Sequence, residues 1–165
     1  MMKIALLVVA VICATVVGAA EVPIEGNVQS KCVINTDIVG VYGNPTPDKL
    51  STAAADGGVL PVVRYDVSLA DAYVARITTP TSFSTSPSLN DVVNWTGSTS
   101  VKEVSVAAMA DYETTKIVYG PTTEFNLHTA GSTWFKVNST AAYGVGKALP
   151  GGTYRAVVNA ECIAK

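Results

Sequence analysis

The side chains from which this sequence could build chemistry are few: three cysteines, one histidine, and acids spread thinly along 165 residues. Cys13 lies inside an apolar N-terminal run, which leaves Cys32 and Cys162 as the pair available to a folded domain. In an exported chain an even number of thiols pairs, so a Cys32–Cys162 disulfide is expected, with two separately buried thiols as the alternative. Closing a loop of roughly 130 residues would stabilise the fold by about 5 kcal/mol at most in the chain-entropy account. Two distant cysteines and a single histidine do not make a metal site, and no cofactor is expected.

Catalytic machinery is as sparse. His128 has no Ser or Cys nucleophile motif beside it and no Gly-Xaa-Ser-Xaa-Gly occurs, so an inert histidine at a strand edge is the plainer reading. Asp66 with Asp71, or Glu103 with Asp111, could converge in space, but spacing alone does not establish an acid pair for glycoside hydrolysis, and solvated carboxylates account for them. Trp95, Trp134, Tyr42 and Tyr143 could form an aromatic platform for sugars, while core packing explains the tryptophans equally well. Asn94-Trp95-Thr96 and Asn138-Ser139-Thr140 match the glycosylation acceptor pattern, which arises often by chance in a Thr-rich chain. No catalytic residue is assigned, and the chain reads as a non-enzyme.

The elements that would position these residues follow from composition and period. At 48% hydrophobic and 15% charged, with 13 Gly and 8 Pro, the sequence suits one domain with a sizeable core and many turns. The 11 Lys and Arg are scattered singly and the net charge is -2, which disfavours nucleic acid and anionic membranes as partners. Met1 to Ala20 reads as a secretory signal: Lys3 supplies the positive start, Ile4 to Val17 is apolar, and Gly18-Ala19-Ala20 offers small residues for cleavage. The apolar run is short for a membrane span. The expectation is a cut after Ala20, a single domain over 21–165, and a secreted product without a membrane span.

Two runs with the period of a half-buried strand lie near the ends of that domain. Tyr154, Ala156, Val158, Ala160 and Cys162 share one face of Thr153 to Cys162, and Val22, Ile24, Gly26, Val28, Cys32 and Ile34 share one parity near the other end. The two strands are expected to be neighbours joined by the disulfide. Between them, Asn35-Thr36-Asp37 reads as a turn and Lys49 to Ala55 as a short helix with Thr46-Pro47-Asp48 at its start. Val62 to Leu69 and Ala72 to Thr78 read as strands, and Thr79 to Asn90 as a Ser/Thr/Pro surface loop. Asp91 to Trp95, Val101 to Met109 and Tyr112 to Tyr119 read as further strands, the first two separated by a turn at Gly97 to Ser100. Thr129-Ala130-Gly131-Ser132 gives the clearest hairpin signal. Short strands separated by regular turns predict an all-β, antiparallel β-sandwich.

Gly26-Asn27-Val28 followed by Cys32-Val33-Ile34, together with a terminal Gly-Xaa-Tyr strand, resembles bacterial fimbrial subunits and secreted proteins similar to spore coat protein U. The resemblance implies an immunoglobulin-like or pilin-like sandwich completed by a strand from a neighbouring subunit, with a periplasmic chaperone assisting export. Val22, Ile24 and Val28 would be the apolar side chains of such a donor strand. A self-contained sandwich is the alternative. The functional expectation is therefore a secreted structural subunit that self-assembles into a cell-surface fibre. The other reading is a monomeric secreted or periplasmic module binding, for example, carbohydrate.

Overall fold

The computed structural model describes residues 23–26 and 31–165. The expected signal and its cleavage point, and Val22 and Val28 of the expected donor strand, lie outside the described residues. The strands are β1 Cys32–Ile38, β2 Gly43–Thr46, β3 Lys49–Ser51, β4 Val62–Val67, β5 Tyr73–Thr78, β6 Val93–Val104, β7 Ile117–Tyr119, β8 Thr122–Leu127, β9 Gly131–Tyr143 and β10 Asn159–Ala164, with one helical turn, α1, at Tyr112–Thr115. All strand pairings are antiparallel.

These strands form two sheets, as the all-β expectation required. The first is six-stranded and runs β1-β4-β9-β3-β2, with β6 also on β9. Trp134 is in register with both Arg64 and Glu103, so β4 and β6 flank β9 on opposite sides. The second sheet is four-stranded, β10-β5-β8-β7. Alternation sets which face each strand buries. On β9, Thr133, Phe135, Val137, Ser139, Ala141 and Tyr143 are buried while Lys136 and Asn138 are exposed.

Both sheets contribute to one core. Phe125 of β8 meets Phe135 of β9 with ring centroids 4.3 Å apart, and Tyr65 of β4 stands edge-on to Phe135 at 5.5 Å. A buried phenol needs a partner for its hydroxyl. Tyr65 finds two in the opposite sheet, donating towards the carbonyls of Arg76 at 3.3 Å and Glu161 at 3.1 Å. Its burial pushes the phenol pKa well above the ordinary tyrosine range.

Several local expectations give way to tertiary contacts. Asn35-Thr36-Asp37 is part of β1 rather than a turn, because Asn35 donates to Asp66 and Asp37 faces Arg64 and Trp134 across the sheet. The helix expected over Lys49 to Ala55 is absent: Lys49, Leu50 and Ser51 pair with Ala142, Ala141 and Thr140 of β9, and only a 3-10 turn forms at Ala54–Asp56. The turn expected at Gly97 to Ser100 lies within the continuous strand β6. Glycine at 97 answers a close approach, since a Cβ there would come within 2.7 Å of the Thr79 side chain.

Two further corrections concern connections. Tyr112 to Tyr119 divides into α1 and β7, with Met109 and Tyr112 buried in the core and the backbone of Thr114 and Thr115 donating to the Asp111 carbonyl. The hairpin signal at Thr129 to Ser132 does not make a hairpin, since β8 belongs to one sheet and β9 to the other. Gly131 has φ 140°, and a Cβ there would meet Met109 at 2.6 Å and Ser105 at 2.7 Å, so glycine marks a crossing between sheets. At the C-terminal end the predicted alternation holds from Tyr154 to Cys162, while the ladder itself begins at Asn159.

Candidate functional site

The expected disulfide is present. Cys32 and Cys162 are bonded with their Cα atoms 6.4 Å apart and 130 residues between them in sequence. Their strands are neighbours across the two sheets rather than partners in one ladder: β1 is the edge of one sheet and β10 the edge of the other. Cys32, Ile34, Ala160 and Cys162 all pack against the core cluster. The two sheets are joined covalently at this margin, and the Tyr65 hydroxyl bonded to the Glu161 carbonyl joins them further.

The residues weighed for chemistry do not converge on one centre. Trp95, opposite Ala141, is on the core-facing side of β6 and packs edge-on against Phe83 at 4.7 Å, which in turn meets Tyr154 at 5.0 Å. Trp134 lies on the outer face of the same sheet, its indole N–H on Asp37 at 2.5 Å and the Arg64 guanidinium 6.0 Å from its ring centroid. Tyr143 is buried and Tyr42 shares a hydrogen bond with Ser139, so the four aromatics form no common platform. Asp66 is bonded by Asn35, Arg64 and Ser132, whereas Asp71 pairs with Lys165, which holds its carboxyl below the usual carboxylate range. His128 meets the Asp111 carboxylate at 3.0 Å and stands edge-on to Tyr112 at 4.8 Å, a contact that fastens α1 to the end of β8. Glu103 is opposite Trp134 on β6, with Asp111 committed to His128.

The opposite margin has a different construction. There β6 ends one sheet and β7 the other. The β6 edge is plugged by the segment just after it: the Val101 N–H donates to Glu113 at 2.7 Å, and the Lys116 ammonium donates to the Thr99 carbonyl at 3.1 Å. Burial opposes ionisation of Glu113, but its bonds from Lys116 and the Val101 N–H outweigh that and hold its carboxyl below the usual range.

β7 has no such plug. It pairs with β8 on one side, and among the described residues nothing pairs with its other side. Ile117, Val118 and Tyr119 are 61%, 59% and 46% exposed. The register makes Val118 the informative one, because it continues the row Ala160, Ile77, Thr123 that faces the core. Ile77 and Thr123 are buried in that row, yet Val118 is not covered. Ile117 and Tyr119 fall on the outer face, where the Tyr119 hydroxyl and Arg76 both bond Glu124 and lower its carboxyl pKa. Sequence alternation could not mark this site, because three consecutive apolar residues read as a buried strand.

β1 is mixed instead, ending in exposed Ile38 with exposed Val39 and Val41 just beyond it. Exposed Val33 shares its face with Asn35 and Asp37, whose side chains bond into a polar network with Arg64, Asp66 and Trp134. Of the expected donor strand only Ile24 is described; it belongs to neither sheet and is 97% exposed. Among the described residues no helix is long and apolar enough to cross a membrane. Compared with known protein families, curated proteins and solved structures, the chain matches none.

Proposed function

We propose that this chain is a secreted, non-catalytic structural subunit that assembles with copies of itself into a cell-surface fibre, its two sheets stacked as a pilin-like sandwich. The observation that carries the reading is the β7 margin, an unpaired strand edge bearing three exposed apolar side chains. Natural proteins blunt such edges with charge, proline or a covering segment, because an open edge is a template for strand addition. The same chain plugs its β6 edge with Glu113 and Lys116, so the bare β7 edge a few residues later contrasts with a protected one. Covering Ile117, Val118 and Tyr119 would stabilise an interface by a few kcal/mol from apolar area alone, with backbone bonds fixing the register.

The disulfide supports an oxidising compartment, in keeping with a secretory signal over residues 1–20 and export assisted by a periplasmic chaperone. Ile24, nearly fully exposed and outside both sheets, supports the segment containing Val22, Ile24 and Val28 as a donor strand. The test is the oligomeric state of residues 21–165 by size-exclusion chromatography and negative-stain microscopy. Concentration-dependent polymers are expected, and deletion of residues 21–25 is expected to leave a folded, disulfide-bonded monomer. A full-length mature chain that stays monomeric at high concentration, with no fibres, would overturn the proposal.

A further inference from the structure

The outer face of the six-stranded sheet carries a second feature, separate from the β7 edge. Between the loop holding Ala53–Ala55 and strands β6 and β9 lies an open cleft of about 360 Å³, floored by Ser98, Ser100, Lys136 and Asn138 and walled by that loop and Leu60. Its size falls at the low end of the roughly 300–1,000 Å³ of small-molecule sites. We propose that this cleft is a binding subsite for one acidic sugar residue of the hexuronate class, its carboxylate on Lys136 and its hydroxyls on Asn138 and the two serines.

The register builds the floor. Ser98 is opposite Asn138 and Ser100 is opposite Lys136, so the four side chains rise from two adjacent cross-strand pairs on one face. Paired positions are about 5 Å apart and next-but-one positions along a strand about 7 Å, which makes a rectangle on the scale of one pyranose ring and its substituents. Asn138 Oδ1 lies 3.3 Å from the Thr52 hydroxyl, which also faces the Ser139 carbonyl at 3.3 Å, and its Nδ2 is a donor without a partner among the described residues. The wall is fixed too, by Lys49 on Asp56 at 2.8 Å and by the Thr52 N–H on the Ser139 carbonyl at 3.0 Å. A preformed cleft spends little binding energy on ordering itself.

Charge selects the ligand. Lys136 has no ion-pair partner among the described residues, and the carboxylate that feels its field, Glu113, is committed to Lys116 and the Val101 N–H. Among the described residues no carboxylate lines the cleft. An apolar peptide would cover Lys136, Asn138 and two hydroxyls without bonding them, at a desolvation cost. A nucleobase would find no aromatic ring to stack on, whereas the Ala and Leu wall suits the apolar face of a sugar.

Saturation-transfer NMR observes the ligand and works on monomer or polymer alike, so the outcome is independent of assembly. With residues 21–165, galacturonate or glucuronate at millimolar concentration is expected to give a transfer signal, stronger than that of galactose or glucose. Lys136→Gln should lower uronate affinity roughly tenfold, to the level of the neutral hexose, as befits losing one charge-assisted hydrogen bond. Lys102→Gln, a change to an exposed cation on the neighbouring strand β6, should leave it unaltered. No signal with either uronate, equal signals from acidic and neutral sugars, or an equal loss in the two lysine variants would overturn the proposal.

Discussion

The two margins of this molecule solve the same problem in opposite ways. Each brings together one edge strand from each sheet, β1 with β10 on one side and β6 with β7 on the other. At the first margin Cys32–Cys162 and the Tyr65 hydroxyl on the Glu161 carbonyl tie the two sheets together, although no further strand pairs with the outer sides of β1 and β10 among the described residues. The second is closed over β6 by two side chains from one short segment, then left bare over β7. The covalent link lies at one margin, and the edge strand with three exposed apolar side chains, which the proposed assembly would use, lies at the other. A fold whose edges were all open would aggregate, and one whose edges were all closed would have nowhere to add a partner.

Breaking the cross-linked margin should have the largest effect. Cys162→Ala removes a link spanning 130 residues and should lower stability by about 2–5 kcal/mol, read as a shift in denaturation midpoint under non-reducing conditions. The β1 and β10 edges should then exchange amide protons faster than β8 and β9. An unchanged midpoint would mean that packing of Ile34, Val158 and Ala160 holds this margin without the bond.

How far the sequence reveals this division depends on the range of each signal. The alternation of Val63, Tyr65 and Val67 with Arg64, Asp66 and Ser68, and of Tyr154 through Cys162, is local; the first run buries its expected face and the second half-buries its own. The cysteine pair was legible because parity directed both thiols inward. Which sheet a strand joins was not legible: Thr129 to Ser132 has hairpin composition, yet Gly131 is needed where Met109 and Ser105 crowd the crossing. Gly97 likewise reads as a turn until Thr79 is seen packed against it. The bare β7 margin was hidden for the converse reason, since Ile117-Val118-Tyr119 carries the apolar signature of a covered strand. The cleft over Lys136 depends on a loop that sequence assigns to a helix, and the pairing of Lys49 to Ser51 with β9 is what places that loop over the sheet.

The plug on β6 offers a smaller and pH-dependent test. Glu113 is lowered in the folded state, so its contribution is fully present above the ordinary glutamate value of about 4.3 and disappears as pH falls through the lower folded value. Glu113→Gln should therefore destabilise the protein at neutral pH and converge with the parent in strong acid. With the side chain 43% exposed, solvent screening limits the difference to about a few tenths of a kcal/mol. Thermal denaturation of both proteins across acid pH measures it, and faster exchange of the Val101 amide in the variant would locate it. A gap that widens towards low pH would contradict the assigned role.

The smallest effect on folding is expected where the largest effect on assembly lies. Val118→Lys places a charge on a side chain that is already 59% exposed, so the monomer should lose no more than about 0.5 kcal/mol. On a strand edge a lysine is the usual guard against addition, because pairing would bury its ammonium against the incoming strand. If β7 receives a neighbouring strand, Val118→Lys should abolish polymers while the denaturation midpoint stays in place. Glu113→Gln should behave oppositely, shifting stability slightly and leaving assembly intact, since the proposed assembly adds no strand to the β6 edge. Polymers that survive Val118→Lys would move the interface elsewhere, and a large loss of stability would show that Val118 is packed in the folded chain rather than waiting for cover. Together the two variants separate an edge the fold needs closed from an edge it can leave open.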